Sequence, residues 1–294
     1  MLKKISVIII ILLFSLITNV NGMIAGQSNN SIEYGLQNPN ILYVGGPGPN
    51  NYTGIQDAID NASNGDTVFV FDDSSPYYEN LFVNKSIDII GEDKNTTRII
   101  GSSDDATIGV DSEWVNISNF TVKGGSEGID LIYSGTKYIK IYNNVISDNV
   151  VGIYLKENSF INISSNIIIN STGTCIYAHS SYQNIIINNF IESKNRYGIT
   201  LAYESKNNII QKNTFRGHRR GITLAFSSSN TIISNNFINN YRDAFFQDCH
   251  NTWNKNYWGR PRLLPKPIFG LLSTTTPKIN FDMRPAFKPY TVLS

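Results

Sequence analysis

The sequence predicts an all-β chain wound into a right-handed parallel β-helix. The first of three observations is a phrase that recurs as Gly128-Ile-Asp-Leu, Gly152-Ile-Tyr-Leu, Cys175-Ile-Tyr-Ala, Gly198-Ile-Thr-Leu, Gly221-Ile-Thr-Leu and Ala244-Phe-Phe-Gln, in steps of 24, 23, 23, 23 and 23 residues. A fixed period of this length marks stacked units, not one closed globular core. Second, the apolar residues within a phrase stand two apart, as in Ile153 and Leu155 or Ile199 and Leu201, which is strand periodicity. Third, an Asn signal recurs between phrases, at Asn143-Asn144, Asn166, Asn188-Asn189, Asn213 and Asn235-Asn236. Asn and Gly tolerate the left-handed conformation that a sharp corner needs.

Each repeat therefore holds two or three short strands joined by corners, with no segment long enough for a helical crossover. Like residues then stack on like residues, about 4.8 Å apart. Ile153, Ile176, Ile199, Ile222 and Phe245 are expected to form one inward stack. Asp130, Tyr154, Tyr177, Thr200, Thr223 and Phe246 are expected to line the outward side. Corner Asn residues are expected to bond coil to coil as an amide ladder, a structural role. Asn119 is placed in that ladder.

The elements follow in order. Residues 1–22 read as a signal peptide, with Lys3 and Lys4 before an apolar run from Ile5 to Ile17. That run is short for a membrane span, which takes about 20 residues, and no membrane span is expected in the mature protein. Residues 23–50 read as a polar arm. Residues 53–62 read as a capping helix, with Thr53 and Gln56 as a capping box and Ile55, Ala58, Ile59 and Ala62 on one face. It is expected to cover the open N-terminal end of the solenoid. The β-helix is expected over 51–250, in about eight or nine coils. Residues 251–294, with Trp253, Trp258 and six prolines from Pro261 to Pro289, are expected to form a C-terminal cap and no further coil.

Net charge is +1, but residues 1–150 carry 8 Lys and Arg against 17 Asp and Glu, and residues 151–294 carry 16 against 6. In a solenoid, sequence order is spatial order, so one end should be acidic and the other basic. This suits an anionic polymer on the basic half, or end-to-end self-association. No nucleic-acid partner is expected. Cys175 and Cys249 lie three coils apart, roughly 14 Å, beyond the reach of a disulfide. They are expected to be separate thiols. Asn-X-Ser/Thr sequons recur from Asn29 to Asn170, as an Asn-rich chain produces by accident.

The order Tyr43-Val-Gly-Gly, Thr53-Gly-Ile-Gln-Asp-Ala-Ile-Asp-Asn-Ala, Tyr78-Glu-Asn, Lys85-Ser-Ile-Asp-Ile-Ile-Gly-Glu, the Gly-Ile-x-Leu repeats and Asn256-Tyr-Trp-Gly-Arg-Pro resembles NosD-like proteins. These are secreted right-handed β-helix proteins with carbohydrate-binding and sugar-hydrolysis repeats, found in methanogenic archaea. The resemblance spans about residues 43–290. It implies a pectin-lyase-like solenoid and a secreted or cell-surface location, and it leaves the activity open. The family name comes from a copper-maturation role.

That copper link carries over to no residue here. His179, His218 and His250 take different offsets from their phrases and read as lone surface residues, where a soft metal site would cluster them. No cofactor is predicted, and calcium stays open. Glycoside hydrolysis needs a carboxylate pair, and the outward position supplies one acid, Asp130. The notable pattern is Arg196, Arg219 and Arg242, each 23 residues apart. Such a ladder could clamp carboxylates or sulfates along a glycan. Tyr154 and Tyr177 would offer platforms for a sugar ring. The expected function is binding or scaffolding of surface polysaccharide without catalysis. The alternatives are a polysaccharide lyase or glycoside hydrolase on an anionic glycan, and an envelope assembly protein joining end to end.

Overall fold

The computed structural model describes residues 39–131, 135–273 and 275–291. The predicted signal peptide and most of the polar arm lie outside them. All structure below belongs to the unit Pro39–Ser294.

The chain is a parallel β-helix with three sheets running along its axis. Sheet A has ten strands, from Ile41–Val44 and Thr67–Val70 to Thr231–Ile233 and Thr252–Asn254. Sheet B has eight, from Arg98–Ile100 to Tyr257–Trp258. Sheet C has ten, from Leu81–Val83 through Lys266–Leu272 to Thr276–Asp282 as the tenth. Every named pairing is parallel except the last, where Lys266–Leu272 and Thr276–Asp282 form an antiparallel hairpin. The solenoid is therefore longer than the phrase count implies. It starts before residue 51, because Ile41–Val44 pairs with Thr67–Val70. It also runs past 250: Thr252–Asn254, Tyr257–Trp258 and Lys266–Leu272 join sheets A, B and C in turn. Proline did not prevent this last coil, since Pro261 and Pro265 lie outside the strands and Pro267 sits near the start of one.

Side chains two apart on each strand meet inside. Ile129, Ile153, Ile176, Ile199 and Ile222 pair in direct succession and are fully buried. The next member is Ala244, not Phe245. The last step of the phrase is thus 22 residues, so Phe245 turns outward onto Thr223 and Phe246 turns inward onto Leu224. The expected places of these two phenylalanines are exchanged. A one-residue slip has this consequence because strand side chains alternate faces.

The glycine of the phrase answers to close approach between coils. A Cβ on Gly221 would lie 2.6 Å from the Asp243 carbonyl oxygen, and one on Gly128 would lie 2.7 Å from that of Gly152. Real atoms do not approach so closely, so at these rungs the next coil's backbone occupies the space of a side chain.

The amide ladder is present and continuous. The backbone N–H groups of Asn144, Asn166, Asn189, Asn213 and Asn235 each donate to the Oδ1 of the next rung, the last being Asn256, at 2.9–3.0 Å. Each Nδ2 donates onward to the same oxygen and back to a carbonyl, as Asn189 does to Ile163 at 2.9 Å. All six are buried, and a buried amide is stable only when so satisfied. Phe120 occupies the rung before Asn144, while Asn119 stands beside the ladder and accepts from Asn143 Nδ2 at 2.7 Å. A second ladder, Asn184, Asn208, Asn230 and Asn251, runs at the corner between sheets C and A.

The helix spans Ile55–Asn61, shorter than the pattern suggests. Ile55, Ala58 and Ile59 are buried, and it packs against Ile41–Val44, Thr67–Val70 and Leu81–Val83. Thr53 and Gln56 form no capping box. The Glu79 carboxylate accepts from the N–H groups of Ile55 and Gln56, both at 2.9 Å, so a distant residue of the first coil satisfies the helix start.

Both cysteines are free and buried. Burial pushes the Cys175 thiol up to about 11, which leaves it protonated and inert. Both thiols are expected to react with a thiol reagent after unfolding without reductant, and neither before. Only a bridge between them would leave the unfolded chain unreactive.

Candidate functional site

The outer face of sheet C changes character along the rod. One set of rungs reads Gly109, Asp130, Tyr154, Tyr177, Thr200, Thr223 and Phe245. The set three residues earlier reads Glu127, Val151, Thr174, Tyr197, Arg220 and Arg242. Acids stand at the N-terminal end, aromatic rings in the middle and arginines at the C-terminal end.

Tyr154 and Tyr177 stack as expected, with centroids 5.5 Å apart and planes 15° apart. That spacing exceeds the contact distance of about 3.5–4.0 Å between carbons. The rings are therefore offset like shingles, each with part of its face uncovered.

The arginines differ from the expected ladder. The rung partners are Tyr197, Arg220 and Arg242. Arg196 and Arg219 lie one residue earlier, at the corner before the strand, linked by the Arg219 N–H donating to the Arg196 carbonyl at 2.8 Å. The same shortened last coil is the cause: it brings Arg242 level with Arg220. The Arg220 guanidinium sits 4.3 Å from the Phe245 ring centroid and 5.9 Å from that of Tyr197, and Arg242 lies 5.4 Å from Phe245. Two cations thus share one ring, an arrangement that holds guanidinium groups in place. Among the described residues the one ion pair is Arg216 with Glu192, elsewhere on the rod. Burial first, and the like charges of Arg242 and Arg219 after it, pull Arg220 below its ordinary range against the opposing effect of Tyr197.

Asp130 lies at the other end of this face. Burial raises its carboxyl to about 7, with Glu127 and Asp105 adding repulsion. Its Oδ1 is buried without a hydrogen-bond partner. The neighbouring rungs are Gly109 and Tyr154, so no second acid stands beside it in register. Because the folded value lies above the ordinary 3.8, the unfolded chain gives up this proton first. Stability should therefore fall as pH rises between about 4 and 7 through this group. His218 works in the opposite sense, since burial lowers it to about 4. Asp130→Asn is expected to melt above the parent protein at pH 8 and close to it at pH 4. Equal melting temperatures at both pH values would contradict the buried, unpaired carboxyl.

The histidines do not gather. His218 is buried, not on the surface, with Nε2 3.0 Å from the Ile191 carbonyl. His179 packs against Tyr203 with centroids 4.6 Å apart and planes tilted by 33°, and His250 Nε2 lies 2.8 Å from Lys278 Nζ. Among the described residues no three His, Cys, Asp or Glu side chains converge as a metal-ligand set. Both thiols are free and buried, so among the described residues no cluster of soft donors of the kind copper takes is formed.

A further feature was absent from the expected site. Trp114, Tyr138 and Phe160 stand on successive coils at the corner between sheets C and A, with centroids 4.2 and 5.4 Å apart and planes 17° and 14° apart. They wall a groove of about 310 Å³. Its signal in the sequence was weak, because each of the three precedes a Val or Ile at the corner just before a short strand and belongs to no phrase.

The fold and these faces define a parallel β-helix with aromatic and basic surface tracks. Residues 59–263 match the family model described as periplasmic copper-binding protein (NosD), and the chain belongs to that family. No curated protein sequence matches the chain. Among solved structures it resembles pectate lyase Pel9A, at 12% identity and a TM-score of 0.53 over 74% of this chain and 77% of that one. It also resembles the A-module of the mannuronan C-5 epimerase AlgE4 from Azotobacter vinelandii, at 13% and 0.51 over 74% and 76%. The enzymatically active domain of tailspike protein 2 of bacteriophage CBA120 matches at 12% and 0.52, over 75% of this chain but 43% of that one. These likenesses establish the fold.

Proposed function

We propose that the chain is an exported β-helix that holds an anionic polysaccharide along the outer face of sheet C without catalysing its cleavage. One observation carries this reading: Arg220 and Arg242 stand on adjacent rungs, oriented by the shared Phe245 ring and free of carboxylate partners among the described residues. Uncompensated cations in fixed geometry favour repeated carboxylate or sulfate groups. The Tyr154–Tyr177 stack on the same face would carry the sugar rings between charges. Export is supported by the periplasmic description of the family, and the related β-helix structures include a pectate lyase and a mannuronan epimerase.

A uronate-rich or sulfated polymer should bind the mature protein, and binding should weaken as salt rises, since exposed charges are screened over about 8–10 Å near physiological ionic strength. Arg220→Ala with Arg242→Ala should lower affinity about tenfold or more, corresponding to at least ~1.4 kcal/mol, whereas Arg98→Ala on the acidic half should not. Unchanged affinity in the double variant would refute the clamp.

A lyase or hydrolase reading rests on Asp130, a carboxyl that burial raises to about 7 on this face, so that a protonated share persists at neutral pH. Release of unsaturated or shortened products from a bound polymer, lost in Asp130→Asn, would establish it in place of simple binding.

A further inference from the structure

The groove at the corner between sheets C and A is built from two rows of rungs. Its floor is Asn116, Lys140, Asn162 and Ile185, successive partners in sheet A. Its wall is the residue two places earlier on each coil: Trp114, Tyr138, Phe160 and Gln183. All four wall residues have positive φ, at 60, 60, 58 and 58°. On the next two coils the same rung holds Asn207 and Ser229, also at positive φ. Small polar side chains are the ordinary occupants of such a position, and bulky ones are disfavoured there. Three aromatic rings in a row at this rung are costly to the fold, and they are also left exposed, Trp114 by 61%. Strain and exposed apolar surface together point to a ligand.

We propose that this groove binds a neutral, hydroxyl-rich oligosaccharide, at a site separate from the arginine face. The lining selects that chemistry. The rings are offset, so each offers part of its face to the C–H groups of a pyranose. Their edges carry partial positive charge and favour hydroxyl oxygens. Asn162 Oδ1, on the floor, is buried and has no hydrogen-bond partner. Lys140 is the one charged lining residue, so nothing here repeats the cation spacing that an anionic chain would need. Four coils span roughly 14 Å, room for about two or three sugar rings. The groove ends where Gln183 replaces the rings, so the ligand is a short segment and not an endless track. A purely apolar ligand would leave the floor amides and the Lys140 ammonium without partners.

The protein reports on this groove by itself. It has three tryptophans. Trp253 and Trp258 are 5% and 4% exposed, so acrylamide quenching of fluorescence reads Trp114. Neutral gluco-, manno- and galacto-oligosaccharides are titrated into the mature protein. At least one should shield Trp114 from acrylamide, and the shielding should persist at high salt. Phe160→Asn installs the residue that this rung carries two coils on, at Asn207, with the same φ, and it should fold normally. It should weaken the hit about three- to tenfold, the value of one aromatic contact. Tyr138→Ser should weaken it similarly, and Tyr78→Ala, an exposed ring elsewhere, should not. If no neutral sugar shields Trp114, or if Phe160→Asn and Tyr138→Ser bind as the parent does, the proposal fails. Shielding by a detergent or amphipathic peptide but by no sugar also overturns it and marks an apolar docking groove. The clamp on sheet C is judged on charged polymers and by Arg220 and Arg242, so each reading fails separately.

Discussion

Ile199→Asp is expected to leave no cooperatively folded protein at neutral pH. Ile199 is fully buried between Ile176 and Ile222 in the inward isoleucine stack of sheet C. Burying an isoleucine contributes about 1.5–3 kcal/mol, which is lost. The carboxylate then sits among apolar side chains with no cation to pair with, and an isolated buried charge costs far more than that. A domain of ordinary stability has about 5–15 kcal/mol in all. Each coil also serves as the template for the next, so a disrupted middle coil cannot be bypassed. The check is far-ultraviolet circular dichroism and a urea titration of the purified variant, beside Ile199→Val as the mild control. A variant that keeps the parent's strand signal and a single sharp transition would show that position 199 does not face the core.

Asp282→Ala is expected to be the most damaging single change outside the isoleucine stacks, at about 3–5 kcal/mol. Asp282 is fully buried and ends the long amide ladder. Its Oδ2 accepts from Asn256 N–H at 2.9 Å, and from Asn256 Nδ2 and Trp258 Nε1 at 3.1 Å each. Its Oδ1 accepts from the N–H groups of Lys255 and Arg284 at 3.1 and 3.2 Å. An asparagine in the ladder both accepts and donates, and so needs a further rung. The last rung must only accept, and an ionised carboxylate does that. Alanine would remove the acceptor of all five contacts and leave four donors without a partner, since Asn256 Nδ2 keeps the Ile232 carbonyl. Asp282→Asn would turn a donor toward donors, so it should fall between alanine and the parent. Urea midpoints for the three proteins, at equal slope, test the order. A midpoint for Asp282→Ala within error of the parent would mean that the hairpin does not close the ladder.

The candidate faces were legible to different degrees. Tyr154 and Tyr177 were found because they sit inside the phrase, where alternation alone says which way a side chain points. The arginines were half legible. Their clustering on the basic half was plain, but equal 23-residue spacing named Arg196 and Arg219 where the rungs are Tyr197 and Arg220. Spacing in sequence equals spacing in register only while every coil has the same length, and the last one is a residue shorter. Trp114, Tyr138 and Phe160 were missed because their steps of 24 and 22 residues carry no shared residue type. What unites them is backbone conformation, which composition does not reveal at aromatic positions.

The repeat period was sufficient, without coordinates, to establish a stacked parallel solenoid, the direction of its core and the amide ladder between coils. Those features rest on local alternation and on like residues recurring at one interval, and both are written along the chain. Where the solenoid stops, which residue caps it and which side chains share a surface came only with the folded chain. Glu79 reaches back to the helix start, Asp282 closes a ladder begun at Asn144, and Arg242 meets Arg220 over Phe245. Each of these contacts joins segments whose relative placement depends on the summed lengths of every corner between them. An error of one residue in that sum turns a core side chain outward, so only the three-dimensional register could settle them.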